Sequence, residues 1–331
     1  MPVPNATIRT LASGVAWAAA VILCVFLSAL GACGQSLEQP EFYDGPVTRW
    51  LKPSVSHEIS NAITKHEYAQ AEEMLIESIK SHPPAIELLS VLGAVFFLDA
   101  KYLNCASALE KVNAAGALNE QSRFTLVMAY VNLNRFDLAR PELRTLIRTT
   151  PGNSLYHYWR GRLDFIDQKF ESSIESLQVA TSLNPHFARA HDLLGLCHEA
   201  LAEPEKASDE FRRAVKLNRE EQHPSAWPPF NFGEHLYKLG QLDQAQDFIK
   251  ESLSYEPAFA KAHFQLGLLY EKLGHDDAAV QELRTAIALD KHSPEPYYAL
   301  TRILKRQGNS ISAQDAARQF EVLSKQQNGG H

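Results

Sequence analysis

The chain has 331 residues, 45% of them hydrophobic and 21% charged, with a formal net charge of -7 at pH 7. That composition is globular and carries no bias toward disorder. Its acidic balance is the opposite of the basic stripe that neutralises phosphates, so no nucleic-acid partner is expected.

Residues 1–36 stand apart from the rest. After Arg9, the run from Leu11 to Leu30 is apolar and rich in small residues, and it breaks at Gly31, Ala32, Cys33 and Gly34. This is the layout of an export signal. A run of about 20 apolar residues also suffices to cross a bilayer as a helix. Leu30-Gly31-Ala32-Cys33 resembles the lipobox of bacterial lipoproteins, which implies Cys33 as the lipid-modified residue. Three readings stay open: lipoprotein, cleaved secretory signal and retained membrane anchor. Each places the remainder outside the cytoplasm, either periplasmic or held at a membrane. Residues 37–51 then read as a short linker.

From residue 52 onward one spacing organises the chain. Ala71, Cys105, Ala139, Ser173, Ala207, Ala245, Ala279 and Ala313 follow one another at 34 residues, with a single step of 38. Twelve residues before these small positions come Gly93, Gly161, Gly195, Gly233 and Gly267. Four residues after them come Leu75, Leu109, Leu143, Leu177, Phe211, Ile249 and Leu283. An i, i+4 apolar pattern on this period predicts paired helices, each pair a hairpin stacked on the next. Tyr68, Tyr102, Phe136 and Phe170 recur just before the second helices of the first four hairpins.

Hairpins one to five fill residues 52–219, an insertion covers 220–229, three more hairpins occupy 230–326, and 327–331 form a tail. The stretch REEQHPSAWPPF, Arg219 to Phe230, holds the four extra residues and three prolines. Proline ends helices, so this stretch reads either as a hinge or as a longer surface loop. The more polar last helix, around Ile311 to Gln326, is expected to cap the array against water.

The pattern resembles the tetratricopeptide repeat family from about Lys52 to Gln326. The fullest unit carries His263, Leu266, Gly267, Tyr270, Ala279, Leu283 and Ala286 at the family's key positions, and Pro83, Pro151, Pro185 and Pro257 close units. The resemblance implies an all-α, right-handed superhelical solenoid of about eight stacked hairpins, its concave surface formed by first helices. Some positions depart from the pattern. Glu58 and Arg160 stand where a large apolar residue is usual, and Asp164 and His198 where Tyr or Leu is usual. Looser packing is expected there.

Catalytic signatures are missing. The sequence contains no GxxxxGK[ST], GxGxxG or GxSxG, and His57-Glu58 is followed by Asn61 where a zinc protease needs its second histidine. An enzyme reading would have to use Asp164, His191 and His198. His157, His191 and His263 share one register position, which separates neighbours by about 10 Å across stacked helices, too far for one zinc ion. No metal or cofactor is expected. Cys105 and Cys197 fall in different hairpins, beyond the ~7 Å reach of a disulfide, and read as buried, inert thiols.

The resemblance also implies where a ligand lies: in the groove, against the first-helix residue just past the large one. Here that position holds Ser56, Ser90, Phe124, Tyr158, Asp192, Phe230, Phe264 and Tyr298, with Trp227 on the same helix as Phe230. Aromatic rings in such a row offer flat apolar area at low entropy cost, which suits a peptide. Lys238, Lys261, Lys272, Arg302 and Arg306 map to the same side, answered in part by Glu234, Glu271 and Glu295. Chaperone-tail binding in this family uses a lysine and an asparagine one turn apart, and no first helix here has that pair. The expected function is a non-enzymatic scaffold binding a protein or peptide in the groove, within envelope assembly. The alternative is a glycan-binding solenoid that stacks sugars on Trp227, Phe230 and Phe264.

Overall fold

A computed structural model of the chain describes residues 51–81 and 86–328. The export-type leader with Cys33, most of the linker, Pro83 and the end of the tail lie outside the described residues. Sixteen α-helices and no strand occur among the described residues. The first seven are α1 (Pro53–Thr64), α2 (Tyr68–Ser81), α3 (Ile86–Leu98), α4 (Tyr102–Ala114), α5 (Glu120–Asn132), α6 (Phe136–Thr149) and α7 (Ser154–Ile166). They belong to one compact unit, which ends at Asp167. A second unit begins at Gln168. It holds α8 (Phe170–Leu183), α9 (Ala188–Ala200), α10 (Pro204–Glu220), α11 (Trp227–Lys238), α12 (Leu242–Tyr255), α13 (Ala260–Lys272), α14 (Asp276–Leu289), α15 (Glu295–Arg306) and α16 (Ser310–Asn328). Odd-numbered helices are the first helices of the hairpins and even-numbered ones the second.

Within each unit every helix packs on its sequence neighbours, and first helices of successive hairpins touch in the pairs α3 with α5, α9 with α11, α11 with α13 and α13 with α15. The eight small positions are the reason such close stacking is open to the chain. All of them, Ala71 through Ala313, are at most 1% exposed. The sequence suggests that each first-helix glycine opposes the small residue of its partner helix. In the structure a larger side chain fills most of the hollow. A Cβ on Gly195 would stand 2.6 Å from the Phe211 ring, and one on Gly233 would meet Ile249 at 2.8 Å and the Ala245 carbonyl at 3.1 Å. The side chain one turn past the alanine reaches into the space that the glycine leaves.

The turn inside each hairpin repeats with the same register. His66, Ala100, Asn134, Gln168 and Ala202 have φ between 54° and 61°, and Gly240, Gly274 and Gly308 continue the series at 76° to 79°. The Lys101 amide then bonds to the Phe96 carbonyl at 2.8 Å, as the His275 amide does to Tyr270. This is the left-handed C-cap that satisfies the last carbonyls of a helix. Only the last three hairpins give the position to glycine, for which that conformation is free of strain.

The insertion is tied to its neighbours by hydrogen bonds at both ends. Helix α10 is 17 residues long against 14 for α8, so part of the insertion becomes additional helix. The Asn218 side chain then clamps the chain seven residues on, donating to the Ser225 carbonyl at 2.9 Å and accepting from its amide at 2.8 Å. Ser225 Oγ accepts from the Trp227 amide, and Ser252 Oγ donates to the Ala226 carbonyl. Asn218, Ser225 and Ser252 are all buried. Pro228 and Pro229 follow in the first turn of α11, where a missing amide hydrogen costs little.

Cys105 and Cys197 are buried free thiols, and burial pushes both up to about 12. The four departures from the repeat pattern have separate fates. Glu58 is exposed. His198 is buried with Nδ1 2.7 Å from Glu203. Arg160 and Asp164 open a cleft of about 200 Å³ between α6 and α7.

Candidate functional site

The first helices of the second unit carry most of the residues expected to bind a partner. A 34-residue step returns Phe264 and Tyr298 to one face of α13 and α15, and the same face of α11 carries Trp227 and Phe230. Burial divides these rings. Phe230 is 6% exposed, while Trp227 and Phe264 are half-buried and Tyr298 is 49% exposed. Phe124 and Tyr158, in the first unit, are 9% and 4% exposed. Trp227, Phe230 and Phe259 pack edge to face, with ring centroids 4.8 to 5.8 Å apart. Phe264 packs against the core that contains Leu283 and Leu300, and Tyr298 lies against Phe320. Trp227, Phe264 and Tyr298 therefore supply the accessible aromatic area, and Phe230 mainly supports Trp227.

The cations on this side are occupied. Lys238 Nζ lies 2.6 Å from Glu199 and 3.1 Å from Glu234. Burial works against the Glu199 carboxylate, but hydrogen bonds from His235 and Lys238 outweigh it and hold its pKa below the ordinary value. Arg302 forks onto Glu271, and Arg306 onto Asp276 with a longer contact to Glu271. Apart from Lys238–Glu234, which lies within α11, each of these pairs ties one first helix to the hairpin before it. Other cations sit over rings: Lys261 5.2 Å from the centre of Trp227, Lys272 4.7 Å from Tyr237, and Arg302 5.7 Å from Tyr298. Such contacts hold the cations near the aromatic face.

Asp192 on α9 occupies the groove position between Tyr158 and Phe230 in register. Its Oδ2 accepts from Asn231 Nδ2 at 2.8 Å, and its buried Oδ1 has no hydrogen-bond partner. Burial pushes this carboxyl up to about 7, and the Asn231 bond opposes the shift only in part. Sequence reasoning found Asp192 by register but missed Asn231, which stands one residue past the register position.

Five histidines pair with neighbouring acids or a carbonyl. His191 Nδ1 lies 2.6 Å from Glu210, and His263 Nδ1 lies 2.6 Å from Glu282, 19 residues on in both cases. Arg123 pairs with Glu142 at the same offset in the first unit. His157 takes the Pro151 carbonyl instead. His235, 2% exposed, lies between Glu199 at 2.7 Å and Ser208 at 2.9 Å. Acid, imidazole and hydroxyl are in line there, but Ser208 stands inside α10 rather than on a sharp strand-to-helix turn. The contacts satisfy a buried ring. The residues an enzyme reading would use are each paired separately: Asp164 with Arg140, His191 with Glu210, and His198 with Glu203.

Stacked helical hairpins with this register define a class of repeat protein, and the comparisons agree. Tetratricopeptide repeat models match residues 124–180, 188–221 and 236–304. Over those three stretches the sequence matches tetratricopeptide repeats. It is 25% identical over 139 residues to anaphase-promoting complex subunit 3 of Schizosaccharomyces pombe, covering 42% of this chain and 20% of that protein. The chain spans about a fifth of the length of the first curated relatives it matches. Among solved structures, a tetratricopeptide repeat protein from Parabacteroides merdae aligns with a TM-score of 0.63 at 14% identity, over 76% of this chain and 98% of that one. The anaphase-promoting Cut9–Hcn1 assembly aligns with a TM-score of 0.63 at 18% identity, over 84% and 53%. The fold is the one the residue register implied.

Proposed function

We propose that this chain is a non-catalytic scaffold that holds a peptide or protein segment against the first helices α11, α13 and α15. The observation that carries this reading is the accessible aromatic face of Trp227, Phe264 and Tyr298, with the Lys261 ammonium and Arg302 guanidinium near the Trp227 and Tyr298 rings. Aromatic area of this kind binds through burial of apolar surface. Lys238, Arg302 and Arg306 already have carboxylate partners, so the partner is selected by apolar side chains more than by negative charge. An acidic partner would have to displace Glu199, Glu271 or Asp276, at little net gain.

The leader supports export, and a lipid on Cys33 or a retained anchor would tie the repeats to a membrane facing away from the cytoplasm. Work in envelope assembly follows from that placement. The fission-yeast relative is by name a subunit of a complex, which supports an assembly role by analogy of repeat architecture alone.

A photo-crosslinking amino acid placed at Phe264 or Tyr298 in living cells tests the scaffold. Phe230 is a poor site because its ring is buried. One discrete protein captured from both positions, and absent from a control at the exposed Leu103, is the expected result. Equal products from all three positions would remove the groove as the binding surface.

A further inference from the structure

The cleft between α6 and α7 arises because Arg160 and Asp164 replace two large apolar residues of the repeat pattern, a change that the packing around them does not fill. Its volume of about 200 Å³ is room for several waters or one small organic molecule. Leu143 and Leu163, both nearly fully buried, give it an apolar floor. Its polar groups are unevenly committed. Arg140 bonds to Asp164, Asp167 and the Leu163 carbonyl, each at 2.8 Å. Arg144, on the same face of α6 one turn later, is exposed and makes no hydrogen bond or ion pair among the described residues. Arg160 lines the opposite wall.

We propose that this cleft binds a compact carboxylate on an apolar stem of about the size of a leucine side chain, with Arg144 as the residue that grips the charge. A guanidinium matches a carboxylate with two parallel hydrogen bonds. The nearby acids argue for a monoanion. Asp164 in the wall and Asp167 on Arg140 repel a phosphate dianion more strongly than a single negative charge. The apolar floor gives the stem its site, and together the two parts exclude ions without a stem. Such a group exists both as a free organic acid and as the last residue of a polypeptide.

The test is titration of the isotope-labelled full chain, followed through leucine methyl resonances. The probes are N-acetyl-leucine, its uncharged amide, inorganic phosphate and a hexapeptide ending in leucine. Saturable shifts at Leu143 and Leu163 are expected with the acid, while the amide and phosphate bind at least about ten-fold more weakly, as loss of one charge-assisted contact implies. Arg144→Gln should weaken the acid by about ten-fold, and its exposed site leaves folding untouched. The double variant Arg160→Leu with Asp164→Tyr fills the cleft and should abolish binding. A hexapeptide that binds much more tightly than the acid assigns the carboxylate to a chain terminus, and equal binding assigns it to a free acid; either carries the proposal. Equal binding of acid and amide, no saturable shift with the acid, or no effect of Arg144→Gln overturns it.

Discussion

Helix α6 meets α7, and α12 meets α13, at one register and with opposite chemistry. In the later joint Leu266 and Leu269 are buried in the core with Tyr270 packed against it, and Gln246 donates to the Tyr270 hydroxyl at 3.2 Å. In the earlier joint Arg160 and Asp164 stand at the positions of Leu266 and Tyr270, and Arg140 at that of Gln246. A neutral hydrogen bond over a filled core becomes an ion pair over a cleft. The hairpin register sets where helices meet, and two side chains per hairpin decide whether the meeting is sealed.

The largest effect should come from moving the charged chemistry into the sealed joint. Leu266→Arg buries a guanidinium without a partner in a packed core and is expected to cost about 3 kcal/mol or more. Urea unfolding measures it, and a loss below about 1 kcal/mol would show that the later joint has slack like the earlier one.

The two aspartates sharpen the contrast next. Asp164 has a guanidinium, whereas Asp192 has only Asn231 and a buried, unpartnered oxygen. The folded Asp192 carboxyl titrates near 7 against an ordinary value of 3.8. The folded state therefore holds the proton more tightly, and stability from this group falls as pH rises from about 4 to about 7. Asp192→Asn should be more stable than the parent by on the order of 3 kcal/mol near pH 8, with the gap closing toward pH 4. Thermal melts at several pH values check this, and a gap independent of pH would show that Asp192 is ionised in the fold without penalty.

Filling the earlier joint is the converse experiment. Arg160→Leu with Asp164→Tyr should raise stability by about 1–2 kcal/mol through added apolar burial. A lowered unfolding midpoint would mean that the Arg140–Asp164 pair contributes more than the void costs.

The smallest effect separates early hairpins from late ones. Ala202 holds φ 56° where Gly274 holds 79°, and a side chain in that conformation costs about 1 kcal/mol. Ala202→Gly should stabilise and Gly274→Ala destabilise, each by about that amount. Calorimetry of both variants would expose any compensation if the two shifts share a sign.

Helix pairing, the eight small positions and the starts of second helices at Tyr68, Tyr102, Phe136 and Phe170 were legible in the sequence, because backbone approach tolerates only small residues at a fixed offset. Periodicity carried that information. The left-handed turn at Ala100 or Gln168 left no such trace, since neither residue prefers that conformation and the hairpin imposes it. The Asn218–Ser225 clamp was equally silent: it falls inside the insertion, where the register is broken. Among the candidate binding residues, register placed Phe230, Phe264 and Tyr298 on one side but ranked them equally.

Exposure separates them, and exposure depends on neighbours far along the chain. Phe259 and Trp227 cover Phe230, while Tyr298 stays half open beside Phe320. The same holds for charge. Register placed Lys238, Arg302 and Arg306 on a cationic face, and only packed helices show Glu199, Glu271 and Asp276 within reach of them. The sequence by itself determined the repeat, since its spacing is a local rule obeyed hairpin by hairpin. Which rings remain accessible, which charges remain unpaired and where a cleft opens were decided only by tertiary structure, because each depends on side chains about one repeat apart that meet once the hairpins stack.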